Sequence, residues 1–410
     1  MNMDKNQSNW IVAGLVLAGL LLIATMVAHG FRREAAQSPA GAASVAGTTA
    51  GVQIERRKVP GLSADEIRNA GLSLKEAMYY EKLPGGKVQC TLCPVMCVLG
   101  EGERGSCRAR INIGGILRTL VYGRLLAMND DPIEKKPLFH YLPGSRSLSI
   151  ATAGCNLGCV FCQNWQITQA LPEEAPYRAA TPEQVVAEAK RLGCRSISYT
   201  YTEPTVFYEF MLDCARLAHK EGIRNVWVTC GYINPTPLRE LCKVLDAANI
   251  DVKGFDEAYY QRYCGGSLEP VLTALRIARE EKVWVEVTNL IVPGGNDDPR
   301  MIADLCKWQA AHLGPDVPMH FSRFFPMYRM LDAAPTPLET LQTAARIAHD
   351  AGIRYVYVGN IDTPAGEDTL CPKCGRALVQ RQGFIVKRND IRDGRCPYCG
   401  AEIAGVWTAK

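Results

Sequence analysis

The sequence predicts an α/β protein whose main body is a full or partial (β/α) barrel. Short apolar runs alternate with helical patterns, as buried parallel strands and their connecting helices do. The predicted strands are Leu148–Thr152, Ser196–Tyr201, Val226–Cys230, Ile250–Phe255, Val283–Val292, Met319–Phe325 and Tyr355–Val358. This repetition implies right-handed βαβ units, and the six or seven units suggest a barrel. A doubly wound open sheet is the alternative.

Helix starts and one cysteine-rich loop support this architecture. Thr181–Glu183 places a cap residue before a proline at the first helical position, and Pro237, Pro299 and Pro337 mark similar starts. The loop Thr152–Trp165 follows the first predicted strand. It should therefore lie at the carboxyl-terminal rim of the barrel, where the active sites of such barrels are found.

That loop carries three thiols at C-x3-C-x2-C spacing, contributed by Cys155, Cys159 and Cys162. A [4Fe–4S] cluster normally takes four thiolates, so three would leave one iron open to bind a small molecule. Gly154 and Gly158 allow the backbone to curl closely around an inorganic core, and Phe161 could cover it from water. A zinc knuckle or a chance cluster of cysteines is the alternative.

Composition narrows the class of protein. Of the 410 residues, 47% are hydrophobic, so the chain can bury a large core. The formal net charge of +4 is too small to indicate nucleic-acid binding, and we find no basic stripe interleaved with aromatic residues. The 17 cysteines are an odd number and cluster at metal-like spacings. This favours metal ligation in a reducing compartment over a secreted disulfide framework.

The amino-terminal region predicts a membrane anchor. Ile11–Ala28 is an uncharged, mostly apolar run of about the length that spans a bilayer, and Trp10 at its start suits the interface. A cleaved signal peptide is the alternative, but the cleavage site is poor. The basic residues of Phe31–Arg33 and Arg56–Lys58 predict that the body lies in the cytoplasm. Ala35–Gly51 should be a flexible tether.

A first four-cysteine group precedes the predicted barrel, at C-x2-C-x3-C-x9-C spacing: Cys90, Cys93, Cys97 and Cys107. Four thiolates with no open position describe a closed structural site. We expect zinc, with a second iron–sulfur cluster as the alternative, because thiolate suits either metal. Unligated core cysteines are the remaining possibility. His140, further along, has no cysteine close by in sequence and is interpreted as structural.

A second four-cysteine group ends the chain as two C-P-x-C-G knuckles, with Cys371, Cys374, Cys396 and Cys399 as the thiols. The 21 residues between the knuckles are rich in strand formers. Paired knuckles are typical of a tetrahedral zinc site with four thiolate ligands. A rubredoxin-like iron site is the chemical alternative. This ribbon could be structural or could contact a macromolecular substrate.

Polar side chains recur at the ends of the predicted strands. The candidates are Glu203 after the second strand, Asp251 and Lys253 on the fourth, and His320 and Arg323 on the sixth. Alternation along a strand sends Asp251 and Lys253 to the same side. A charged pair inside a barrel is costly unless it is satisfied, which points to a ligand or ion as partner. A local ion pair or turn cap explains each residue alone equally well.

At this point the sequence resembles a known family. It looks like the radical S-adenosylmethionine (SAM) protein of the AmmeMemoRadiSam system, a group similar to pyruvate formate-lyase activating enzymes. The matching segments are CTLCPVMC, GERGSCRAR, DPIEKKPLFHYLPG, GCNLGCVFCQNWQIT, YTEPTVFYEF, DVKGFDEAYY, HFSRFFPMY, YVYVGN and the terminal CPKCG and CPYCG. The match runs from about Val88 to Trp407.

The resemblance implies a (β/α)6-type partial barrel, a [4Fe–4S] cluster held by the three loop cysteines, and SAM chelated by the open iron. Glu203 matches the residue placed to meet the amino group of SAM. Asp251, Lys253, His320 and Arg323 match polar positions near the SAM pocket. In one departure, Cys230 stands where activating enzymes of this type have the asparagine of Thr-Asn-Gly, so a local SAM contact would be altered.

Together these observations predict a radical SAM enzyme that cleaves SAM reductively and abstracts hydrogen with a 5′-deoxyadenosyl radical. A protein or peptide substrate ranks above a small molecule. Electrons would come from a flavodoxin, a ferredoxin or an equivalent donor, and the gene-system name suggests Memo-like and AMMECR-like partner proteins. The alternatives are a non-catalytic membrane-anchored metal or electron-transfer module and a zinc-based binding scaffold.

The predicted domain boundaries follow from these patterns. They are a membrane anchor over 1–31, a flexible linker over 32–60, a four-cysteine extension over 61–145, a radical SAM barrel over 146–365 and a zinc-ribbon-like module over 366–410. The anchor is an addition that the resemblance does not supply.

Overall fold

The computed structural model describes residues 59–361 and 366–408. The predicted anchor Ile11–Ala28 and the predicted tether Ala35–Gly51 lie outside these ranges. Within them, no helix combines the length and the apolar character needed to cross a membrane.

The extension before the barrel consists of short strands and one short helix. Helix α1 (Ala64–Asn69) begins with a capping box, in which Ser63 and Glu66 bond each other's backbone N–H groups. The strands that follow are β1 (Lys75–Glu76), β2 (Tyr80–Leu83), β3 (Lys87–Cys90), β4 (Val98–Leu99), β5 (Arg110–Ile113), β6 (Ile116–Thr119) and β7 (Arg124–Leu125). Strands β1 to β6 form two small antiparallel sheets, β1-β6-β5 and β2-β3-β4.

The main body is an eight-stranded sheet. The strands of this part are β8 (Ala127–Pro132), β9 (Arg146–Ala151), β10 (Arg178–Ala179), β11 (Ser196–Tyr199), β12 (Arg224–Thr229), β13 (Ala247–Asp251), β14 (Trp284–Ile291), β15 (Met319–Arg323) and β16 (Val356–Gly359). Strand β10 pairs only with β7, and the other eight form the sheet in the order β16-β15-β14-β13-β12-β11-β9-β8.

Helices alternate with these strands as predicted. They are α2 (Trp165–Thr168), α3 (Pro182–Arg191), α4 (Tyr208–Lys220), α5 (Pro235–Cys242), α6 (Glu257–Tyr259), α7 (Glu269–Glu280), α8 (Pro299–His312) and α9 (Leu338–Asp350). Short 3₁₀ turns cover Pro84–Gly86, Ile133–Lys135 and Pro204–Phe207, and a π-helical turn covers Tyr260–Cys264. Thr181 caps α3 with Pro182 at the first helical position, so that predicted start is correct.

The strand order decides between the two predicted architectures. Strands β9 and β11 to β16 are all parallel, and each pairs with its neighbour in the chain. A doubly wound sheet would reverse its order at a switch point, and this sheet does not. Strand β8, antiparallel to β9, forms one edge and β16 the other, with no pairing between them in the described ranges. The sheet is therefore a partial barrel.

One face of the sheet carries the helices, and the other faces a segment that precedes β9. This plug, Ile133–Leu142, packs through Ile133, Leu138, Tyr141 and Leu142 against Val226 and Ala247. Glu286 of β14 accepts the backbone N–H groups of Phe139 (3.0 Å) and His140 (2.8 Å). The plug therefore occupies the inner face of the barrel.

A small ribbon completes the described chain. Its strands β17 (Thr369–Leu370), β18 (Ala377–Gln382) and β19 (Ile385–Asn389) form one antiparallel sheet. The ribbon tail is tied to the plug, because Val406 bonds backbone groups of both His140 and Leu142 at 2.7 Å. The predicted extension ends at residue 145, but two of its segments are part of the main body. Strand β8 belongs to the main sheet, and the plug packs on the inner face of the barrel.

Candidate active site

The cysteine loop leaves the carboxyl end of β9 in a conformation that needs glycine. Gly154 has a φ of 103°, and a Cβ atom there would lie 2.5 Å from the carbonyl oxygen of Cys107. The loop is also bonded to the π-helical turn Tyr260–Cys264. The N–H of Gly158 donates to Cys264 O (2.8 Å), and the N–H of Val160 donates to Tyr263 O (3.0 Å). The loop is thus held on both sides by backbone contacts.

All three loop thiols face one cavity of about 520 Å³. Cys159 is 8% exposed, and Cys155 and Cys162 are half-buried. Burial raises the pKa of Cys155 and of Cys162, so these thiols need a positive partner to become thiolates at neutral pH. Phe161 is buried between the last two thiols and stacks on Tyr259, as expected for a side chain that excludes water.

Glu203 faces the same cavity and is almost fully buried. One carboxylate oxygen accepts from the Thr205 N–H (3.0 Å) and hydroxyl (2.6 Å). The hydroxyl of Thr229 lies 2.8 and 2.9 Å from the two oxygens, and the N–H of Cys230 donates to the second at 2.9 Å. These donors fix the carboxylate in orientation and stabilise its charge without a cationic side chain.

Cys230 stands beside this carboxylate. Its thiol lies 2.8 Å from a Glu203 oxygen and lines the cavity, although the side chain is only 7% exposed. Burial, and then the neighbouring carboxylate, raises the pKa of Cys230 far above that of an exposed thiol. The side chain therefore belongs both to the apolar core and to the cavity wall.

Asp251 and Lys253 pair as their alternation predicted. The Lys253 ammonium donates to the Asp251 carboxylate at 2.7 Å, and both residues line the cavity. The backbone N–H of Lys253 bonds the hydroxyl of Tyr260 in the π-helical turn (3.0 Å). The pair is thus a fixed dipole in the cavity wall.

His320 and Arg323 lie elsewhere. His320 Nε2 contacts the Glu286 carboxylate at 2.7 Å and lines a neighbouring pocket of about 210 Å³. Arg323, the last residue of β15, donates from Nε to Thr336 O (2.9 Å) and lies over the ring of Phe325. The described residues that line the cavity of the three cysteines include neither of them.

The plug supplies the floor of the cavity through Lys135, Lys136 and Pro137. The Lys136 ammonium is buried, donates to Asp131 (2.7 Å) and lies over the ring of Tyr201 at 4.6 Å. Burial lowers the pKa of Lys136 to about 8, despite the carboxylate of Asp131. Sequence reasoning missed this residue, although two adjacent lysines directly before the apolar Pro137–Phe139 were a signal.

His140 of the plug is structural, as predicted. The ring is fully buried, with Nδ1 2.6 Å from Ala404 O and Nε2 2.5 Å from the hydroxyl of Tyr357. Burial lowers the pKa of His140 to about 4, so it is neutral at physiological pH. It links the plug, β16 and the ribbon tail.

The ribbon brings its four cysteines together. The ligand atoms of Cys371, Cys374, Cys396 and Cys399 lie within 4.8 Å of one another. The Cys371–Cys399 and Cys374–Cys396 sulfurs are 3.6 and 3.8 Å apart. The ribbon also reaches the active cavity, because Phe384 in the β18–β19 turn lines it. No local pattern in the sequence pointed to this contact.

The comparisons with known proteins agree with this geometry. The family model of the Radical SAM superfamily matches residues 149–308, which contain the loop, Glu203 and the Asp251–Lys253 pair. An uncharacterized protein of Methanocaldococcus jannaschii is 47% identical over 332 residues, which cover 80% of this chain and 99% of that protein.

The chain belongs to the radical SAM superfamily. Solved structures with some similarity include a domain of a pyruvate-formate lyase-activating enzyme from Bacteroides vulgatus (18% identity, TM-score 0.37, 40% of this chain and 99% of that one). A radical SAM methyltransferase from Sphaerobacter thermophilus gives 17% identity and a TM-score of 0.43 over 58% of this chain and 71% of that one. Streptococcus suis SuiB bound to S-adenosylmethionine gives 12% and 0.43 over 56% and 53%.

A radical SAM protein is an enzyme that requires a [4Fe–4S] cluster and SAM. The residues present fit both groups. The three loop thiols face one cavity, and the fourth thiol that lines it, Cys230, is bonded to Glu203. Ligation by the three loop thiols would leave one cluster position for a ligand. Glu203, held in place by Thr205 and Thr229, offers a carboxylate to a cationic group in the same cavity.

Proposed function

We propose that this radical SAM enzyme abstracts hydrogen from a protein or peptide substrate. The observation that carries the SAM-dependent part of the proposal is the cavity that the three loop thiols share with Glu203. The volume of about 520 Å³ lies within the range of small-molecule sites. When bound, the cluster and SAM supply one-electron cleavage of the sulfonium to methionine and a 5′-deoxyadenosyl radical.

The chain's own residues bind and orient. Cys155, Cys159 and Cys162 would hold the cluster as thiolates, and Glu203 would accept a hydrogen bond from the SAM ammonium. Thr229 holds the Glu203 carboxylate in position through its hydroxyl. Because that carboxylate already receives neutral donors, a cation adds a charge-assisted hydrogen bond of about 1.5–3 kcal/mol.

Two further features suit radical chemistry. Phe161 keeps water from the thiols, which protects a reactive species from side reactions. The Asp251–Lys253 pair presents fixed charges to the polar end of a bound ligand. His320 and Arg323 are proposed to act only indirectly, because their side chains contact Glu286 and Thr336 instead of the cavity.

The remaining expectations complete the proposal. The ribbon cysteines would hold zinc, because sulfurs 3.6 to 3.8 Å apart match four thiolates around one ion with Zn–S distances of about 2.3 Å. A flavodoxin or ferredoxin would supply electrons, and Memo-like and AMMECR-like proteins of the AmmeMemoRadiSam system are the proposed partners. The enzyme would be anchored by its amino-terminal helix with its body in the cytoplasm.

Anaerobic reconstitution with iron and sulfide tests the proposal. With dithionite and SAM, the full chain should release 5′-deoxyadenosine, and SAM should shift the electron paramagnetic resonance (EPR) spectrum of the reduced cluster. An intact cluster without deoxyadenosine would contradict the proposed activity. Deuterium transfer into deoxyadenosine from a labelled candidate protein then identifies the hydrogen donor.

A further inference from the structure

The first four-cysteine group offers a second metal site beside the active cavity. We propose that Cys90, Cys93, Cys97 and Cys107 hold a second iron–sulfur cluster, and not the zinc ion that their spacing first suggested. The site does not depend on the proposed function, since it is formed by residues outside the SAM cavity.

The four thiols surround one small enclosed space. Cys90 ends β3 and Cys97 precedes β4, and the N–H of Cys90 donates to Cys97 O at 2.9 Å. Cys107 precedes β5, and all four cysteines line the same cavity of about 20 Å³. The remaining walls include Leu92, Leu99 and Val206, so the space is largely apolar. A centre of this kind is shielded from water.

The spacing of the sulfurs distinguishes a cluster from a single ion. Four thiolates at about 2.3 Å from one zinc ion lie about 3.8 Å apart, as the ribbon sulfurs do. Among the described residues, the ribbon is the one group of three or more His, Cys, Asp or Glu side chains whose ligand atoms all lie within 4.8 Å. No three of the first group's sulfurs therefore converge this closely. A cluster of several irons is wider than one ion and takes a wider ligand set.

A buried cation accompanies the group. Arg110 is 2% exposed, lines the cavity, and donates to Met78 O (2.9 Å) and to Glu209 (2.5 Å). Its Nε has no hydrogen-bond partner among the described residues. The Glu209 carboxylate already balances the charge of Arg110, so the guanidinium offers the four thiols an unpaired Nε–H donor and no net charge. A buried donor of this kind suits a group of anionic acceptors beside it.

The proposed site shares a wall with the active cavity. Asn156, between the first two loop cysteines, and Thr205, bonded to Glu203, both line the space among the four thiols. Gly154 lies directly against the carbonyl of Cys107. One layer of residues thus separates the two sites, which places a one-electron carrier next to the SAM-binding loop.

The test uses the full chain with the triple substitution Cys155→Ala, Cys159→Ala and Cys162→Ala, which leaves the first group intact. After anaerobic reconstitution we expect two to about four irons per chain with matching sulfide, and one zinc from the ribbon. An EPR signal should appear on reduction. Two zinc ions without iron, or no metal beyond the ribbon's, would overturn the proposal.

Two further variants assign the iron to these cysteines. Adding Cys93→Ala and Cys97→Ala to the triple variant should remove the remaining iron, whereas adding Cys242→Ala, a buried cysteine of α5, should leave it unchanged. Iron that survives the first substitution would place the cluster elsewhere. In the unsubstituted chain, two reduced clusters this close should broaden each other's EPR signals. A spectrum equal to the sum of the single-cluster spectra would contradict the shared wall.

Discussion

The two four-cysteine groups of this protein differ in what surrounds their sulfurs. The ribbon holds its thiols within 4.8 Å of one another near the surface, with Cys374 exposed. The first group spreads its thiols around an enclosed space against the active loop. The sequence motifs look alike, since both contain C-x2-C pairs. The comparison teaches that similar spacing in sequence can give two different arrangements of four sulfurs, because the surrounding packing differs.

Local electrostatics also differ between the two groups. Burial raises the pKa of Cys107 to about 11. At Cys396 burial acts in the same direction, but hydrogen bonds from the backbone N–H groups of Tyr398 and Cys399 outweigh it, and the pKa is lowered to about 7. Cys396 therefore ionises more readily than Cys107 before metal binds. In the same knuckle, despite a backbone hydrogen bond from Ala401, burial and the neighbouring thiols raise the pKa of Cys399 to about 12, so this thiol needs the metal to become a thiolate.

The largest effect is expected at the loop Thr152–Trp165, which carries three thiols where each of the other two groups carries four. Cys155→Ala should abolish cluster assembly at the loop and all deoxyadenosine formation, because two thiolates cannot hold the cluster. Chemical analysis of iron and chromatography of the nucleoside product measure both. Cys306→Ala, a buried cysteine of α8, is the matched control and should stay active. Retained SAM cleavage in Cys155→Ala would overturn the ligand assignment.

Removal of a ribbon ligand should affect stability more than chemistry. Cys371→Ala should release zinc and lower the free energy of unfolding by about 3 kcal/mol or more, since a structural metal contributes folding energy directly. Iron in the first group should remain. Denaturant unfolding measures the loss of stability, and metal analysis measures zinc and iron. A variant as stable as the parent would contradict a structural role for the ribbon metal.

Glu203 lies on the side of the active cavity nearest the first group. Glu203→Gln keeps the shape and removes the charge, so SAM affinity should fall by about 1.5–3 kcal/mol through loss of a charge-assisted hydrogen bond. Titration of SAM into the reduced protein, followed by EPR, gives the dissociation constant. Thr205→Val removes the hydroxyl that bonds Glu203 and tests whether this residue, which also lines the space among the first four thiols, affects SAM affinity. Unchanged SAM affinity in Glu203→Gln would exclude the ammonium contact.

The smallest effect is expected at the ribbon tip. Phe384 is 47% exposed, so Phe384→Ala should cost less than about 1.5 kcal/mol of stability. SAM cleavage without substrate should not change, but the KM for a protein substrate should rise because the ring lines the cavity. Leu370→Ala, a ribbon residue of similar exposure, serves as control. Equal KM values in Phe384→Ala and Leu370→Ala would indicate that Phe384 does not contribute to substrate binding.

The sequence was sufficient for the parallel strands and for the loop, because apolar runs and cysteine spacing are local signals. It misplaced β13, which covers Ala247–Asp251 instead of Ile250–Phe255, because Asn249 interrupts the apolar pattern inside the strand while Val252 and Phe255 lie beyond its end. It missed β8, whose residues Ala127–Pro132 include Asn, two Asp and Pro, poor strand formers that pairing with β9 overrides.

Long-range contacts explain the rest of what sequence could not supply. The sequence of the plug does not reveal that it packs on the inner face of the barrel. That position explains why Lys136 lines the active cavity. Phe384 reaches that cavity from a hairpin far along the chain. Three of the predicted polar site residues, Glu203, Asp251 and Lys253, do line the cavity, whereas strand alternation and a second pocket place Arg323 and His320 elsewhere.

The plug has a consequence for the binding site as well as for the fold. Lys135, Lys136 and Pro137 line the cavity of the three loop thiols, while Ile133 and Leu138 of the same segment pack on the inner face of the sheet. A change in the packing of the plug should therefore alter SAM binding even where no residue of the cavity itself is replaced.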